Sequence, residues 1–204
     1  MSDLTFTQGT DPVSIFNDSS GNQLAIDSSG RITANVGEPS VLNTYCASIT
    51  GLVAATTPTD IFTITGSATK TIKILCVEVT VTATTAIFYN LIFLKRSTAN
   101  SGGTSTNPTV VPRDSANPAG TAVVNAYTAN PTTLGTLVGN TNSYKAAAAT
   151  SASGQSNNII FVKLFDANEQ PMTLRGTSQV FAINLNSTSL LGSSFNISIT
   201  WIEE

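Results

Sequence analysis

The sequence predicts an all-β protein built as an antiparallel β-sandwich, and three observations support that prediction. Thr, Ser and Asn occupy 73 of the 204 positions (32, 23 and 18 residues), and Thr favours strands whereas Ser and Asn favour turns. Charged residues make up only 10% of the chain, against about 25% in an ordinary soluble domain, so the helix formers Lys, Glu and Arg are scarce. Short alternating segments separated by turn clusters recur from about residue 41 onward, as expected for strands that face a core on one side.

Residues 41–204 are predicted to form the β domain itself. Alternation places one face of each strand in the core, and clusters of Gly, Pro, Asn and Ser mark where the strands end. The predicted strands are 41–50, 59–65, 70–82, 86–96, 121–128, 134–138, 158–166, 178–186 and 194–202.

Three of these strands predict specific features. The strand 194–202 alternates most clearly, which indicates one face in the core and the other in solvent or against a partner; its apolar positions are Phe195, Ile197, Ile199 and Trp201. In 70–82 the alternating apolar residues occupy even positions up to Cys76 and odd positions from Val77 onward. This change of parity predicts a β-bulge near Cys76 or burial of both faces. The run 86–94 is apolar at both parities, so we expect a central strand covered on each side by stacked sheets.

Residues 1–40 differ from the rest and predict an extended N-terminal hairpin arm. Asp18-Ser19-Ser20-Gly21 and Asp27-Ser28-Ser29-Gly30 form a near repeat, and each copy indicates a tight turn followed by a short strand. An isolated hairpin is marginal in water, so we expect the arm to lie on the main domain or on another chain. Its partner-binding side chains are predicted to be Leu24, Ile26, Ile32 and Val36.

Two long segments predict loops at one end or one face of the sandwich. Residues 97–120 are rich in Ser, Thr, Asn, Gly and Pro, and a loop of this length is either functional or hides a missed element. Residues 144–158 contain Ala146–Ala149 followed by Ser and Gly, which favours one or two helical turns and then a flexible tip. Loops carry recognition in many scaffolds, so both segments are candidates for it.

The composition argues against most catalytic chemistry. There is no histidine, which removes the commonest general base and metal ligand. Asp166 and Glu169 lie close together, but a solvated hairpin turn explains them more simply than a sugar-hydrolysing pair. The Asp-Ser-Ser-Gly copies lack the further acidic positions of a calcium loop. We therefore predict no enzyme activity, no catalytic residues, no cofactor and no metal site.

Cys46 and Cys76 are the only two cysteines, and they form a possible thiol pair. Two residues are too few for a disulfide scaffold and lack the paired spacing of a zinc site. In a reducing cytoplasm two buried free thiols are expected. A disulfide formed later, in an oxidising medium, remains the alternative.

Charge and hydropathy also restrict the partners. A net charge of −3 and a pI near 4.8 provide no electrostatic footprint for nucleic acid. The start of the chain shows no secretory signal, and the longest apolar stretch is half the length of a membrane helix. We therefore expect synthesis in the cytoplasm and no membrane partner.

The weakly charged Thr/Ser/Asn surface favours contact with copies of the same chain, so we expect a homo-oligomer. The same surface can hydrogen-bond sugar hydroxyls, because Asn offers both a donor and an acceptor. Four tyrosines are candidates for stacking on a sugar ring, although packing in the core or an interface is expected for most of them: Tyr45, Tyr89, Tyr127 and Tyr144.

Several segments resemble small structural proteins of tailed bacteriophages. They include Asn43-Thr44-Tyr45 through Thr59-Asp60-Ile61-Phe62-Thr63-Ile64-Thr65-Gly66-Ser67, then Ile92-Phe93-Leu94-Lys95-Arg96-Ser97-Thr98-Ala99-Asn100-Ser101-Gly102-Gly103-Thr104, and Ala126-Tyr127-Thr128-Ala129-Asn130-Pro131. The hairpin Gly21–Ile32 is similar to the attachment arms of virion proteins. The likeness covers roughly residues 13–140. It implies location in a virion and carries over no catalytic residues.

These observations together lead to one hypothesis and one alternative. The hypothesis is a non-enzymatic virion protein, an antiparallel β-sandwich of jelly-roll type that decorates the capsid or forms part of the neck or tail fibre. Its arm, residues 1–40, would anchor it to other virion proteins by strand addition. By analogy with β-rich virion proteins on threefold positions, the homo-oligomer is expected to be a trimer. The alternative is a carbohydrate-binding module that recognises a host surface glycan.

Overall fold

The computed structural model describes residues 13–17, 23–26, 32–35, 42–54, 58–84, 87–148, 159–163, 170–186 and 193–204. Within these ranges there is no helix, and every regular element is a strand. The chain divides into two compact units, Met1–Val41 and Leu42–Glu204. The prediction of an all-β protein is confirmed for the described part of the chain.

The first unit contains a three-stranded antiparallel sheet of order β1-β2-β3, formed by β1 (Val13–Asn17), β2 (Gln23–Ile26) and β3 (Ile32–Asn35). Strands β2 and β3 lie where strands are predicted, each following one of the two Asp-Ser-Ser-Gly sequences. β1 lies before the repeat and was not predicted.

The arm residues predicted to bind a partner fall at definite positions in this sheet. Leu24 and Ile26 lie in β2, and Ile32 lies opposite Ile26 in β3. Leu24 pairs with Phe16 of β1. Val36 lies outside the described residues.

The second unit consists of two antiparallel sheets. Sheet I has the order β11-β7-β14-β5-β10-β8, and sheet II has the order β12-β6-β15-β4-β9, with β13 also paired to β6. The strands are β4 (Thr44–Leu52), β5 (Thr59–Thr65), β6 (Ile72–Thr82), β7 (Ile87–Arg96), β8 (Thr104–Thr106), β9 (Val111–Pro112), β10 (Val123–Ala129), β11 (Leu137–Ala148), β12 (Ile159–Lys163), β13 (Met172–Leu174), β14 (Val180–Leu185) and β15 (Ser194–Glu203).

The two sheets bury their inner faces in one hydrophobic core. Side chains from β5, β7, β10 and β14 of sheet I share a single cluster with side chains from β4, β6, β13 and β15 of sheet II. Tyr89 of sheet I meets Phe195 of sheet II edge to face, with 5.4 Å between ring centroids. Fully burying large aromatic and aliphatic side chains is the main stabilising contribution in such a core.

The strand β15 has the predicted alternation. Phe195, Ile197, Ile199 and Trp201 are buried, whereas Asn196 and Ser198 between them are exposed. The period of two along a strand therefore places one face of β15 in the core and leaves the other in solvent.

The predicted irregularity near Cys76 is a β-bulge. Thr200 of β15 pairs with Cys76, but the next residue, Trp201, pairs with Ile74. Leu75 is therefore an extra residue in β6, and it shifts the buried parity from Ile74 to Val77.

The apolar run 86–94 was predicted to be a central strand that is covered on both faces. It is a central strand, but one of its faces is exposed. β7 pairs with β11 on one side and β14 on the other, but Phe88 is 64% exposed and Asn90 is also exposed. The strand buried on both faces is β5, where every residue from Thr59 to Ile64 is buried.

Three short strands and one long one differ from the sequence predictions. β8, β9 and β13 contain only two or three residues, too few to show a periodicity. β11 extends to Ala148, so the helical turns expected at Ala146–Ala149 are wrong for the three alanines that lie in this strand. Pairing with β7 supplies the hydrogen bonds of their backbone and outweighs the helix propensity of alanine. The predicted tip at 151–158 lies outside the described residues.

Candidate functional site

The carboxylate of Asp60 organises the first of two buried polar clusters. Asp60 is fully buried. Arg96 donates to its Oδ2 from Nε at 2.7 Å and to its Oδ1 from Nη2 at 2.9 Å. Asn100 donates to Oδ2 at 2.8 Å and Asn184 donates to Oδ1 at 2.7 Å. Each carboxylate oxygen therefore accepts two hydrogen bonds. These bonds compensate for the water that the charged group loses when it is buried.

This cluster also fixes two loop segments. Arg96 donates from Nη1 to the carbonyl of Gly135 at 2.7 Å, and the amide of Gly135 donates to Oδ1 of Asn100 at 2.8 Å. Ser101 and Thr133 exchange backbone hydrogen bonds of 2.9 and 3.0 Å. The segments 97–103 and 131–136 are thus tied to each other and to the end of β7.

The Asp60 cluster lies on the outer face of sheet I. Asn184 stands between Ile183 and Leu185 in β14, and both of those neighbours belong to the core. Because successive side chains of a strand point to opposite faces, Asn184 and the Asp60 it pairs with face away from the core. Asn100 of the segment 97–103 reaches Asp60 here, and Gly135 of the segment 131–136 reaches Arg96, so both segments lie over this end of sheet I.

The carboxylate of Glu203 organises the second cluster, at the end of β15. Its Oε1 accepts from the indole Nε1 of Trp201 at 2.9 Å and from the amide of Ala122 at 3.1 Å. Its Oε2 accepts from the hydroxyl of Thr121 at 2.7 Å and from the amide of Thr121 at 2.9 Å. Burial by itself raises the pKa of Glu203, but these hydrogen bonds outweigh it and hold the pKa below its usual range.

Tyr45 packs beside the Glu203 carboxylate and holds the C-terminal end of the loop 97–120. Its ring stacks on Trp201 at a centroid distance of 6.1 Å, and its hydroxyl donates to the carbonyl of Pro118 at 3.1 Å. Burial, and secondly the negative charge of Glu203, raise the pKa of Tyr45. Gly120 passes so close that an added Cβ would lie 3.1 Å from the Tyr45 ring and 3.3 Å from Oε1 of Glu203.

Both carboxylates are therefore enclosed in hydrogen bonds that position backbone and loops. The loop 97–120, predicted as a recognition segment, contains β8 and β9 and is held at both ends by these clusters. Its hydrogen-bonded turn at Asp114–Asn117 has a backbone bond of 3.0 Å from the amide of Asn117 to the carbonyl of Asp114. The loop thus presents an ordered surface.

The outer face of sheet II is polar and exposed. On β15, Asn196 and Ser198 are exposed, and Ser198 pairs with Ser48 of β4 on one side and Glu78 of β6 on the other. Asn196 pairs with Thr80. We call this the sheet II outer face, a plane of hydroxyl and amide groups with few charges.

The two cysteines lie in one row of the sheet II outer face. Thr200 of β15 pairs with Cys46 of β4 and with Cys76 of β6, so the cysteines flank it on the same face. Both thiols are free and partly exposed. Two strand spacings separate them by about 10 Å, which exceeds the roughly 7 Å limit between the Cα atoms of a disulfide. A bridge within one chain therefore does not fit this geometry.

Charged groups flank the cysteine row. Burial, and secondly the charge of Glu78, raise the pKa of Cys76, whereas Arg113 lowers it. Arg113 comes from the β9 side of the sheet and donates to the hydroxyl of Thr200 at 3.5 Å. Cys46 donates weakly from Sγ to the carbonyl of Val111 at 3.6 Å.

The four tyrosines are packed against other side chains. Tyr45, Tyr89 and Tyr127 are buried, and Tyr144 packs against Phe93 at a centroid distance of 5.3 Å. The expectation that most of them serve packing is confirmed. They form no stacking platform for a sugar.

Sequence reasoning missed Asp60, Arg96 and Glu203. The available signal was a charged residue inside or at the end of a strand that carries few other charges, because such a residue must find a partner when it is buried. Asp166 and Glu169, which the sequence drew attention to, lie outside the described residues.

The described residues contain no group of three or more His, Cys, Asp or Glu side chains placed to hold a metal ion. They also contain no helix long and apolar enough to cross a membrane. Comparison with protein-family models, curated proteins and solved structures found no match to this chain.

Proposed function

We propose that this chain is a non-enzymatic structural protein of a bacteriophage virion, which decorates the capsid or forms part of the neck or tail fibre. The observation that carries the proposal is the strand order of the second unit. When β8, β9, β10 and the short β13 are set aside, the remaining strands have the orders β4-β15-β6-β12 and β5-β14-β7-β11. This order is the one expected for the two sheets of a jelly roll, so it supports a fold that viral capsid and lectin domains use.

On this proposal β8, β9 and β10 are an insertion between the fourth and fifth strands of the jelly roll. The insertion extends both sheets, since β10 pairs with β5 and β9 pairs with β4. The Asp60 and Glu203 clusters hold it in place. A loop surface fixed in this way loses little conformational entropy when it meets a neighbouring subunit, which suits a component of an assembled particle.

The first unit supplies the proposed anchor. Its strands β2 and β3 carry Leu24, Ile26 and Ile32, and strand addition to a neighbouring edge would use main-chain hydrogen bonds for affinity and alternate side chains for register. Val36 belongs to the same predicted set. The partners would be other virion proteins and further copies of this chain, with a trimer as the expected oligomer.

Labelling of purified particles tests this proposal. An antibody to the chain, detected with gold in the electron microscope, should mark intact particles, and its position should distinguish the capsid from the neck or tail. A variant that lacks residues 1–40 should retain the β-sheet circular dichroism of the second unit but fail to enter particles. Particles without label, or a truncated chain that assembles at normal occupancy, would contradict the proposal.

A carbohydrate-binding module is the second candidate, and the sheet II outer face favours it. Exposed Asn196, Ser198 and Ser48 offer several donors and acceptors on one surface, and jelly rolls also occur in lectins. Saturable binding to a host polysaccharide that is lost in Asn196→Ala/Ser198→Ala would support this function. Replacing the loop 97–120 is a poorer test, because it would also remove Asn100 and Gly120 from the two buried clusters.

A further inference from the structure

We propose that the arm of one copy, residues 1–40, binds a cationic end of the second unit of another copy. The cationic end is defined by Lys70, Lys73, Lys95 and Arg175. The inference rests on the anchoring role proposed for the arm, and it names a second copy of this chain as the partner that the arm binds.

The charge of the chain is divided unevenly between the arm and the rest. The arm contains one basic residue, Arg31, and five acidic residues: Asp3, Asp11, Asp18, Asp27 and Glu38. Its net charge is therefore −4, which leaves +1 for residues 41–204, since the whole chain carries −3. The arm thus has the opposite sign from the remainder of the chain.

Two exposed cations of the cationic end come from neighbouring segments. Lys70 lies between β5 and β6, and Arg175 directly follows β13. Arg175 donates from Nη1 to the hydroxyl of Thr71 at 2.9 Å, which joins the two segments. Both cations are exposed, and neither belongs to the ion pairs of the described residues. Their charges are therefore open to a carboxylate from another molecule.

Lys73 and Lys95 add to the positive charge of this end. Lys73 pairs with Thr173 of β13, and Lys95 donates from Nζ to the carbonyl of Thr173 at 2.8 Å. Within the described residues, the carboxylate that contacts these cations is that of Glu204, whose Oε2 lies 2.6 Å from Nζ of Lys73. Four cations therefore share one carboxylate, and positive charge remains in excess.

The other exposed cations of the described second unit do not form such a group. Arg113 directly follows β9 and is itself followed by the exposed Asp114. Lys145 lies in β11, where its Nζ is 5.2 Å from the centroid of the Phe88 ring. The cationic end is thus the place where an acidic segment meets several positive charges at once.

The signs of the charges decide which occupant fits this end. Complementary charges speed association and disfavour partners of the same sign, although a single exposed ion pair adds little affinity. The acidic segment of this chain is the arm. A unit of about 40 residues buries too little surface to be stable by itself, so the arm gains stability by binding a second surface. Its apolar side chains Leu24, Ile26 and Ile32 would supply the remaining affinity.

The contact joins two different surfaces, the arm of one copy and the cationic end of the next. Such head-to-tail contacts close into a ring when the rotation between copies allows it. A ring of three copies would be the trimer expected for this chain.

Sedimentation of the full-length chain with reversed charges tests the inference. Wild type should form an oligomer that dissociates as the screening length falls from roughly 30 Å in about 0.01 M salt to roughly 3 Å in about 1 M salt. At low salt, Lys70→Glu/Arg175→Glu should weaken assembly by about tenfold or more, because like charges then meet. Asp18→Lys/Asp27→Lys/Glu38→Lys should do the same, since it gives the arm a positive charge. The chain with all five substitutions should assemble again, because both surfaces have changed sign.

Arg113→Glu/Lys145→Glu is the matched control, since it changes the net charge by the same amount at two other exposed cations. It should assemble like wild type, and circular dichroism should show native β-structure in every variant.

Four results would overturn the inference: a wild type that is monomeric at low salt, normal assembly after reversal of the cationic end, equal weakening in the control, or no recovery in the folded chain with all five substitutions. Particle labelling tests the proposed function separately. Labelled particles together with any of these four results would retain the proposed function and assign the arm to a different virion protein.

Discussion

Arg96 donates two parallel hydrogen bonds to the buried carboxylate of Asp60, from Nε at 2.7 Å and from Nη2 at 2.9 Å. This planar, two-pronged geometry is specific to a guanidinium facing a carboxylate. The third nitrogen of Arg96 holds the carbonyl of Gly135, so a single side chain joins the sheet to the loop that covers it.

Removing Arg96 should destabilise the second unit strongly. We expect Arg96→Met to lower the free energy of unfolding by about 3–5 kcal/mol, because it leaves the charge of Asp60 buried without its counterion. Denaturant unfolding followed by the fluorescence of the single tryptophan, Trp201, measures the change. Arg113→Met, at an exposed arginine, is the matched control and should change stability by less than about 0.5 kcal/mol. If both variants lowered the free energy of unfolding equally, the pairing of Arg96 with Asp60 would not contribute specifically to stability.

The Glu203 cluster should make stability depend on acid pH. The folded pKa of Glu203 is lowered from 4.5, so its ionised form stabilises the folded state above that pH, and this stabilisation is lost as pH falls through the folded pKa. We expect wild type to exceed Glu203→Gln in stability near neutral pH, with the gap narrowing steadily below about pH 4.5. Unfolding midpoints from pH 3 to pH 7 test this, with Glu78→Gln as the control. A gap that is constant or grows toward acid pH would contradict the role assigned to the carboxylate.

The hydroxyl of Tyr89 should matter for stability through its single partner. It donates to Oγ of Ser193 at 2.6 Å within the core. Tyr89→Phe leaves the Ser193 hydroxyl buried without this bond and should lower stability by about 1–3 kcal/mol. The double variant Tyr89→Phe/Ser193→Ala should recover part of the loss, since neither polar group then remains. Thermal unfolding of wild type, the two single variants and the double variant measures these effects. Strictly additive losses of stability in the two single variants would contradict the hydrogen bond.

Two glycines of neighbouring segments should respond in opposite ways to alanine. A Cβ at Gly135 would overlap the carbonyl of Thr98, whereas a Cβ at Gly139 in β11 meets nothing within 4 Å. We expect Gly135→Ala to destabilise by about 1–3 kcal/mol and to expose the segments 97–103 and 131–136 to protease. Gly139→Ala should be neutral or stabilising by up to about 1 kcal/mol, because it restricts the unfolded chain. The unfolding midpoint of Gly135→Ala should therefore be lower than that of Gly139→Ala. A higher midpoint for Gly135→Ala would contradict the packing described for Gly135.

Much of the second unit follows from periodicity. The alternation of 194–202 correctly predicted β15. The change of apolar parity in 70–82 predicted either a bulge near Cys76 or burial of both faces, and the structure has the bulge, because a strand that keeps facing one core must change its residue parity when one residue is inserted. In the first unit, the two Asp-Ser-Ser-Gly sequences likewise predicted β2 and β3. These features depend on local sequence alone.

Other features depend on pairing between distant segments. The alanines of β11 favour a helix by themselves, and only the register with β7 makes them a strand. The short β8, β9 and β13 exist because a longer neighbour lies beside them. The burial of Asp60 in β5 depends on Arg96, Asn100 and Asn184, which no pattern within 59–65 reveals.

The sequence by itself determined the all-β class and most strand positions of the described residues, since these follow from composition and a period of two residues. Only the tertiary structure decided which strands are neighbours, where Asp60 and Glu203 find their hydrogen-bond donors, and that Cys46 and Cys76 flank Thr200. The physical reason is that a strand leaves its backbone groups and one or both of its faces unsatisfied, so its partners are chosen by residues far away in the chain.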